Sequence, residues 1–389
     1  MSKNEMGNYQ RYIPYKPSSS VIRSVFLYRA SVKTVGGVKW GYINGKGVII
    51  LPPIYDHAGD FQNSFLAIVR LMERDGLIDT NGYFIAKPKY ETIHPFSEGR
   101  ATVINRDNYN VMDESGKILT EKEYHFIGDY KEGRALAASL DNKGNYLYGY
   151  LNRWGKEVIP LEYESATDFN NGKAVVKIKN GPFVLIGLTG KVLHTYQFAH
   201  VSNYSEGLIA FQREKNGKFG YINEQGKVVI EPQFTFAEPF IEGKAIVNVS
   251  EDFKNKYGLI DSNGKFLIKP IYESIISLGE KRVAVGKAIH PEQPFLGKKY
   301  ALADTDGNML TGFIYNTISS FENGLATATN NLYTFFIDHD GKRDATFPAL
   351  SGSGVLQVDR SLIRGEIDFR LFYFDKKASL YGGKMKLFL

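Results

Sequence analysis

The chain has 389 residues, with 48 Lys+Arg against 42 Asp+Glu and no cysteine. An apolar share of 43% is enough to bury a core, which excludes wholesale disorder, and the missing thiol removes disulfides, thiolate metal sites and any cysteine nucleophile. The formal net charge of +6 is mild for this length and permits anionic partners without requiring them.

Residues 1–20 are polar and punctuated by Pro14, Pro17 and a run of serines, so they are expected to form a mobile tail. No apolar run reaches the length of a signal peptide or a membrane helix. The expected location is therefore cytoplasmic, with no membrane span.

Residues 21–345 read as a repeat array of about eight to nine copies. One pattern opens each copy: Gly41-Tyr42-Ile43-Asn44, Gly76-Leu77-Ile78-Asp79, Gly149-Tyr150-Leu151-Asn152, Gly220-Tyr221-Ile222-Asn223 and Gly258-Leu259-Ile260-Asp261. Weaker copies start at Asn110, Val184, Ala301 and Phe335, and the spacings run from 34 to 43 residues. Six residues after every start stands a glycine (Gly47, Gly82, Gly116, Gly155, Gly190, Gly226, Gly264, Gly307, Gly341), often followed by lysine. An Asn or Asp three residues after the start accepts from a backbone N–H two residues on, and the glycine supplies the positive φ that closes a hairpin. A calcium loop needs several oxygen ligands per site, and each copy offers one.

After the turn comes a β-rich segment closed by proline (Pro53, Pro88, Pro232, Pro270), then two aromatic columns. The first holds Tyr55, Tyr90, Tyr124, Tyr163, Phe198, Phe234, Tyr272 and Tyr315; the second holds Phe61, Phe96, Tyr130, Phe169, Tyr204, Phe240, Leu278 and Phe321. A Glu-Gly or Asn-Gly turn follows, and then a third strand such as Ala101-Thr102-Val103, alternating small apolar and polar residues. The third strand of one copy and the first of the next form a hairpin, as from Ala210-Phe211 across Asn216-Gly217 to Phe219-Gly220. The expected fold is all-β: tandem three-stranded antiparallel meanders that stack because about 37 residues cannot bury a core alone. An open β-solenoid is the favoured arrangement, with a closed β-propeller-like ring as the alternative. Residues 346–389 would supply divergent capping strands, with Ile367 to Phe374 as one strand buried on both faces.

These features resemble the bacterial WG-repeat (KWG-repeat) family. The resemblance rests on Lys39-Trp40-Gly41-Tyr42-Ile43-Asn44, Lys218-Phe219-Gly220-Tyr221-Ile222-Asn223, Pro53-Ile54-Tyr55-Asp56 and the step from Phe96 to Ala101, over residues 39–345. The namesake Trp survives only at Trp40; six later copies carry Tyr or Phe there, and Asp75 and Thr334 break the column. The resemblance implies a repeat scaffold for recognition, with no established catalytic residues.

No metal-ligand spacing, phosphate loop or nucleophile elbow occurs, and the seven histidines fall mostly in different columns. Recurrent carboxylates such as Asp79, Asp113, Asp261 and Asp304 are turn residues. The expectation is a non-enzyme with no cofactor and no metal. One column departs from a bland scaffold: Arg100, Arg134, Lys173, Lys244 and Arg282 follow the Glu-Gly or Asn-Gly turn, opposite the small apolar residues and hence outward. As a stripe they would track an anionic polymer, nucleic acid included. The competing reading is local neutralisation by Glu98, Glu132, Glu242 and Glu280, two residues earlier on the same face. The functional expectation is recognition of a protein partner or surface polymer. Alternatives are polyanion or nucleic-acid binding along the stripe, and a glycan-binding or glycan-cleaving module.

Overall fold

A computed structural model describes residues 26–62, 64–251, 255–359, 362–368 and 370–375; the expected tail at 1–20 lies outside them. The described chain is all-β apart from one short 3-10 turn at Pro294–Leu296, and no helix in it is long and apolar enough to cross a membrane. It divides into two compact units, one running to Ser139 with Leu151–Lys156, the other holding Leu140–Tyr150 and the residues from Glu157.

Three main strands per repeat are present, but the sheets are cut differently from the sequence repeats. In the first unit, one sheet takes His57–Ala58 and Leu66–Leu71 from one copy and Arg74–Asp79 and Phe84–Tyr90 from the next. In the second unit the same four-stranded meander recurs as His200–Ser205, Leu208–Gln212, Phe219–Asn223 and Val228–Phe234, and again from Phe236–Ala237 to Phe266–Tyr272. The expected hairpin between copies is there, with Phe211 opposite Gly220. The join is the second strand, which leaves one sheet at its aromatic corner and enters the next: Ile49–Tyr55 gives way to His57–Ala58, and Glu157–Ala166 runs through without a break.

The prolines do not close that strand; they sit inside it. Opposite each opening glycine the register jumps, as where Tyr42 pairs with Leu51 but Trp40 with Tyr55, and Tyr221 with Ile230 but Phe219 with Phe234. The intervening residues, Pro52-Pro53-Ile54 or Glu231-Pro232-Gln233, form a bulge, where proline's missing N–H leaves no ladder bond unmade. The bulge presses backbone against the glycine. A Cβ on Gly220 would lie 2.4 Å from the Ile230 carbonyl oxygen, and one on Gly41 or Gly149 2.5 Å from that of Leu51 or Ile159. Copies that open on another residue lose this packing: at Asn110 and Ala301 the second strand shrinks to isolated bridges, Tyr109↔Tyr124 with Met112↔Ile118 and Tyr300↔Tyr315 with Ala303↔Met309.

The glycine six residues after the start has two duties. Gly116 (φ 78°) and Gly307 (φ 97°) adopt the left-handed region, and their missing Cβ leaves room for the preceding copy, 2.7 Å from Ile85 O and 2.3 Å from Leu267 O. The Asx residues cap as expected: Asn44 Oδ1 accepts from Lys46 N and Val48 N, and Asp261 Oδ1 from Asn263 N and Lys265 N.

Each core is built from neighbouring copies. Tyr42, Leu51, Tyr55 and Phe61 of one copy pack with Ile78 of the next, and Ala210, Tyr221, Phe234 and Phe240 with Ile260. The phenols that reach into these cores donate to carbonyls, Tyr42 to Gly59, Tyr150 to Thr167 and Tyr221 to Glu238, and burial pushes the ionisation of Tyr150 and Tyr221 well upward. Asp75 and Thr334, the two departures from the aromatic column, are buried and satisfied. Asp75 accepts from Arg70 Nε and Ile93 N, and the Thr334 hydroxyl donates to Gly352 O.

Two further expectations are corrected. The third strand does not alternate between core and solvent: Ala101, Thr102 and Val103 are all buried, as are Ala174, Val175 and Val176, because sheets of adjacent copies cover both its faces. Ile367 to Phe374 is not one strand. A tight turn at Asp368 (φ 47°) splits it into Leu362–Ile367 and Arg370–Asp375, which with Gly354–Asp359 make a three-stranded sheet. That sheet packs Leu356, Ile363 and Phe374 on Phe336 and Phe347.

Gly220→Ala is expected to cost about 1–3 kcal/mol, because the added methyl overpacks against backbone. Gly312→Ala, whose Cβ meets only Ile314 at 3.9 Å, should stay within about 0.5 kcal/mol of wild type. Urea denaturation of both variants checks this; equal losses would contradict the close-approach account.

Candidate recognition surface

The turns that precede the third strands place two successive residues at positive φ, as in Glu98-Gly99, Glu132-Gly133, Glu206-Gly207 and Glu242-Gly243. This geometry aims consecutive backbone N–H groups outward into a small anion-binding nest. The glutamate of one copy fills the nest of the next. Glu98 accepts from Glu132 N and Gly133 N, both at 2.8 Å; Glu206 accepts from Glu242 N at 2.7 Å and Gly243 N at 2.8 Å. Glu280 accepts from Gly324 N at 3.0 Å and pairs with His339 at 2.6 Å, and the imidazole contact holds its carboxyl below the usual range.

The basic column occupies one equivalent position in five copies, half-buried in each. Its side chains lean across the array instead of facing outward. Arg100 Nε donates to Arg153 O and its Nη1 to Gly99 O; Arg134 Nη1 donates to Gly133 O. Arg282 Nε donates to His339 O at 2.7 Å. Lys173 pairs with Glu224 at 2.6 Å and lies over the Tyr204 ring, and Lys244 approaches Asp306 at 3.5 Å. The Lys173–Glu224 contact raises the ammonium pKa and lowers the carboxyl pKa. Arg100, Lys173, Lys244 and Arg282 each reach the hairpin turn of the copy after next. Glu98 and Glu280 are not partners of the arginines two residues on, since both are spent on the clasp.

A second basic column emerges from the strand edges. The residue seven after the start is lysine in five consecutive copies, Lys117, Lys156, Lys191, Lys227 and Lys265, all exposed; Lys156 approaches Glu121 at 3.9 Å, and Lys191, Lys227 and Lys265 have no carboxylate in ion-pair range among the described residues. Two residues on stand Leu193, 46% exposed, Val229, 42% exposed, and the partly buried Leu267. Each lysine stands immediately before its strand, and the aliphatic residue falls where the ladder register shifts. The sequence carried this signal as the lysine after the turn glycine, a position that turn chemistry alone explained away.

The widest spacing between starts, 43 residues from Gly258 to Ala301, is taken up by an extended hairpin. Arg282–Ala288 and Lys298–Asp304 stay paired to their ends, and the loop beyond Ala288 is pinned by Ile289 N to Gly297 O and turns through Pro294–Leu296. It walls a cleft of about 650 Å³ lined by Asn255, Glu273, Pro291, Pro294, Phe295, Lys298, Tyr300 and Asn316. No three His, Asp or Glu side chains cluster as a metal site among the described residues.

Glu206→Gln removes the charge from one clasp, and charge-assisted bonds to backbone N–H make this cost about 1.5–3 kcal/mol in the second unit. Glu231→Gln, which loses an exposed ion pair to Arg213, should cost under about 1 kcal/mol. Comparison of the two unfolding midpoints checks the clasp; matching values would refute it.

A sequence model of the WG-containing repeat matches residues 40–71, 76–109, 111–143, 148–181, 219–251, 257–286 and 300–331. The copies opening at Val184 and Phe335 escape it, although the first still pairs Phe183–Gly187 with Val192–Tyr196. No curated protein matches the chain in sequence. Among solved structures, one described as the eukaryotic initiation factor has a TM-score of 0.51 at 11% identity, over 91% of this chain and 100% of that one. BamB from Moraxella catarrhalis gives 0.38 at 11% identity over 74% and 94%, and AztD from Citrobacter koseri 0.34 at 8% over 91% and 92%. The first bears on fold alone, and the other two are too distant in backbone to carry an argument. With the repeat matched over more than half of its length, the chain belongs to the WG-containing repeat family.

Proposed function

We propose that the protein is a non-catalytic repeat scaffold that recognises a protein partner or a surface polymer along its outer strand edges. The observation that carries this is the recurrence of an exposed lysine followed two residues on by an aliphatic side chain, exposed at Leu193 and Val229 and part-buried at Leu267, after Lys191, Lys227 and Lys265. Such a row offers charge and apolar contact at a regular interval, which suits an extended partner. The recurrent carboxylates support a structural role: the Oδ1 atoms of Asp79, Asp113, Asp261 and Asp304 each accept from two backbone N–H groups of their own turns.

The same lysines favour a narrower second reading, in which the polymer is a polyanion such as a nucleic-acid backbone. The half-buried column of Arg100, Arg134, Lys173, Lys244 and Arg282 would then lend positive potential while its donors stay on backbone and carboxylate oxygens.

Reversal of Lys191, Lys227 and Lys265 to Glu is expected to lower the salt at which the protein leaves a heparin column, with the log K against log salt slope shallower by about three. Unchanged retention would end the polyanion reading. For the broader reading, a photoreactive residue at position 229 should crosslink a partner in extract of the source cells, and Leu193→Asp should abolish the product. Absence of a crosslink, or one indifferent to Leu193→Asp, would contradict it.

A further inference from the structure

The cleft beside the extended hairpin has a hydrogen-bonding character that its own contacts define. Asn248 Oδ1 accepts from Ser250 N and Lys256 N, so its amide nitrogen is the group that donates to Asn255 Oδ1. The carbonyl of Asn255 is thereby used, and its NH₂ remains as a donor. Asn316 is fixed in the same sense, because Lys299 can only donate and takes its Oδ1. Lys298 adds an ammonium. Against these donors stands one carboxylate, Glu273, whose Oε2 is buried and has no hydrogen-bond partner among the described residues. The remaining wall is apolar: Pro291, Pro294 and Phe295, the last 81% exposed, with the Tyr300 ring.

From this arrangement we propose that the cleft binds a neutral saccharide unit. A hydroxyl both donates and accepts, so vicinal hydroxyls can satisfy the Glu273 oxygen and the carboxamide donors together, while the C–H face of the ring lies on Phe295 and the prolines. One carboxylate and one ammonium leave the lining without net charge. A cationic side chain would meet Lys298 and two amide donors, and an anion would meet Glu273. The volume matches a ligand of one to two sugar rings. The corresponding turns at Met72-Glu73 and Arg106-Asp107 have two residues. The site is independent of the lysine column.

The test is saturation-transfer NMR and calorimetry of the whole chain with cellobiose, maltose and N,N′-diacetylchitobiose, and with acetyl-triglycine amide as a peptide control. At least one sugar should bind. Glu273→Gln, which keeps the shape but removes the acceptor-only carboxylate, and Phe295→Ala, which removes an exposed ring, should each weaken it about tenfold or more. Thermal midpoints and heparin retention should stay at wild type, which separates this site from the polymer surface. The proposal is overturned if no sugar binds, if binding is indifferent to both substitutions, or if the peptide binds in preference to every sugar.

Discussion

Turns of successive copies leave backbone groups that their own repeat does not satisfy, and side chains from neighbouring copies supply the missing partners. Glu98 and Glu206 fill the nests of the next Glu-Gly turn, Tyr130 and Tyr196 donate to Asn152 O and Glu224 O, and Arg100 and Arg282 reach the hairpin turns two copies on. Buried polar backbone is expensive when unpaired. A repeat of about 37 residues is therefore incomplete twice over, lacking both a core and a full set of hydrogen bonds until its neighbours are in place. The position of the namesake Trp also tolerates change: Asp75 pairs with Tyr90 and Phe219 with Phe234 as Trp40 does with Tyr55, whereas at Thr334 the partner moves one residue on, to Leu350.

Much of this was legible in the sequence because the constraints are periodic. The glycines, the Asx caps, the aromatic columns and the hairpin between copies each follow from local chemistry that repeats with the chain. What was not legible depends on three dimensions. A proline reads as a stop, yet Pro53 and Pro232 lie within a strand, because the bulge there meets a glycine some twelve residues earlier. The third strand reads as one-sided, yet sheets of adjacent copies bury both its faces. Asp368 disappears within an apolar run, although a single left-handed residue divides it.

The basic residues show the same limit from the functional side. Arg100, Arg134, Lys173, Lys244 and Arg282 form a true column, but spacing cannot tell a solvated cation from one that clamps a carbonyl. The lysine after the turn glycine passed as turn composition, and it is this column whose charge faces water. The cleft was hidden for a different reason. Its parts come from four separate segments and share no motif, and the sequence marked it only as one over-long interval between starts.

The most direct measurement of the inter-repeat account is native-state hydrogen exchange at Glu242 and Gly243 in wild type and in Glu206→Ala. Both amides bond to the Glu206 carboxylate and to no strand. The account predicts that their exchange accelerates in the variant while amides in the strand Leu208–Gln212 keep their protection. Unchanged rates at Glu242 and Gly243 would show that the clasp does not hold neighbouring copies together.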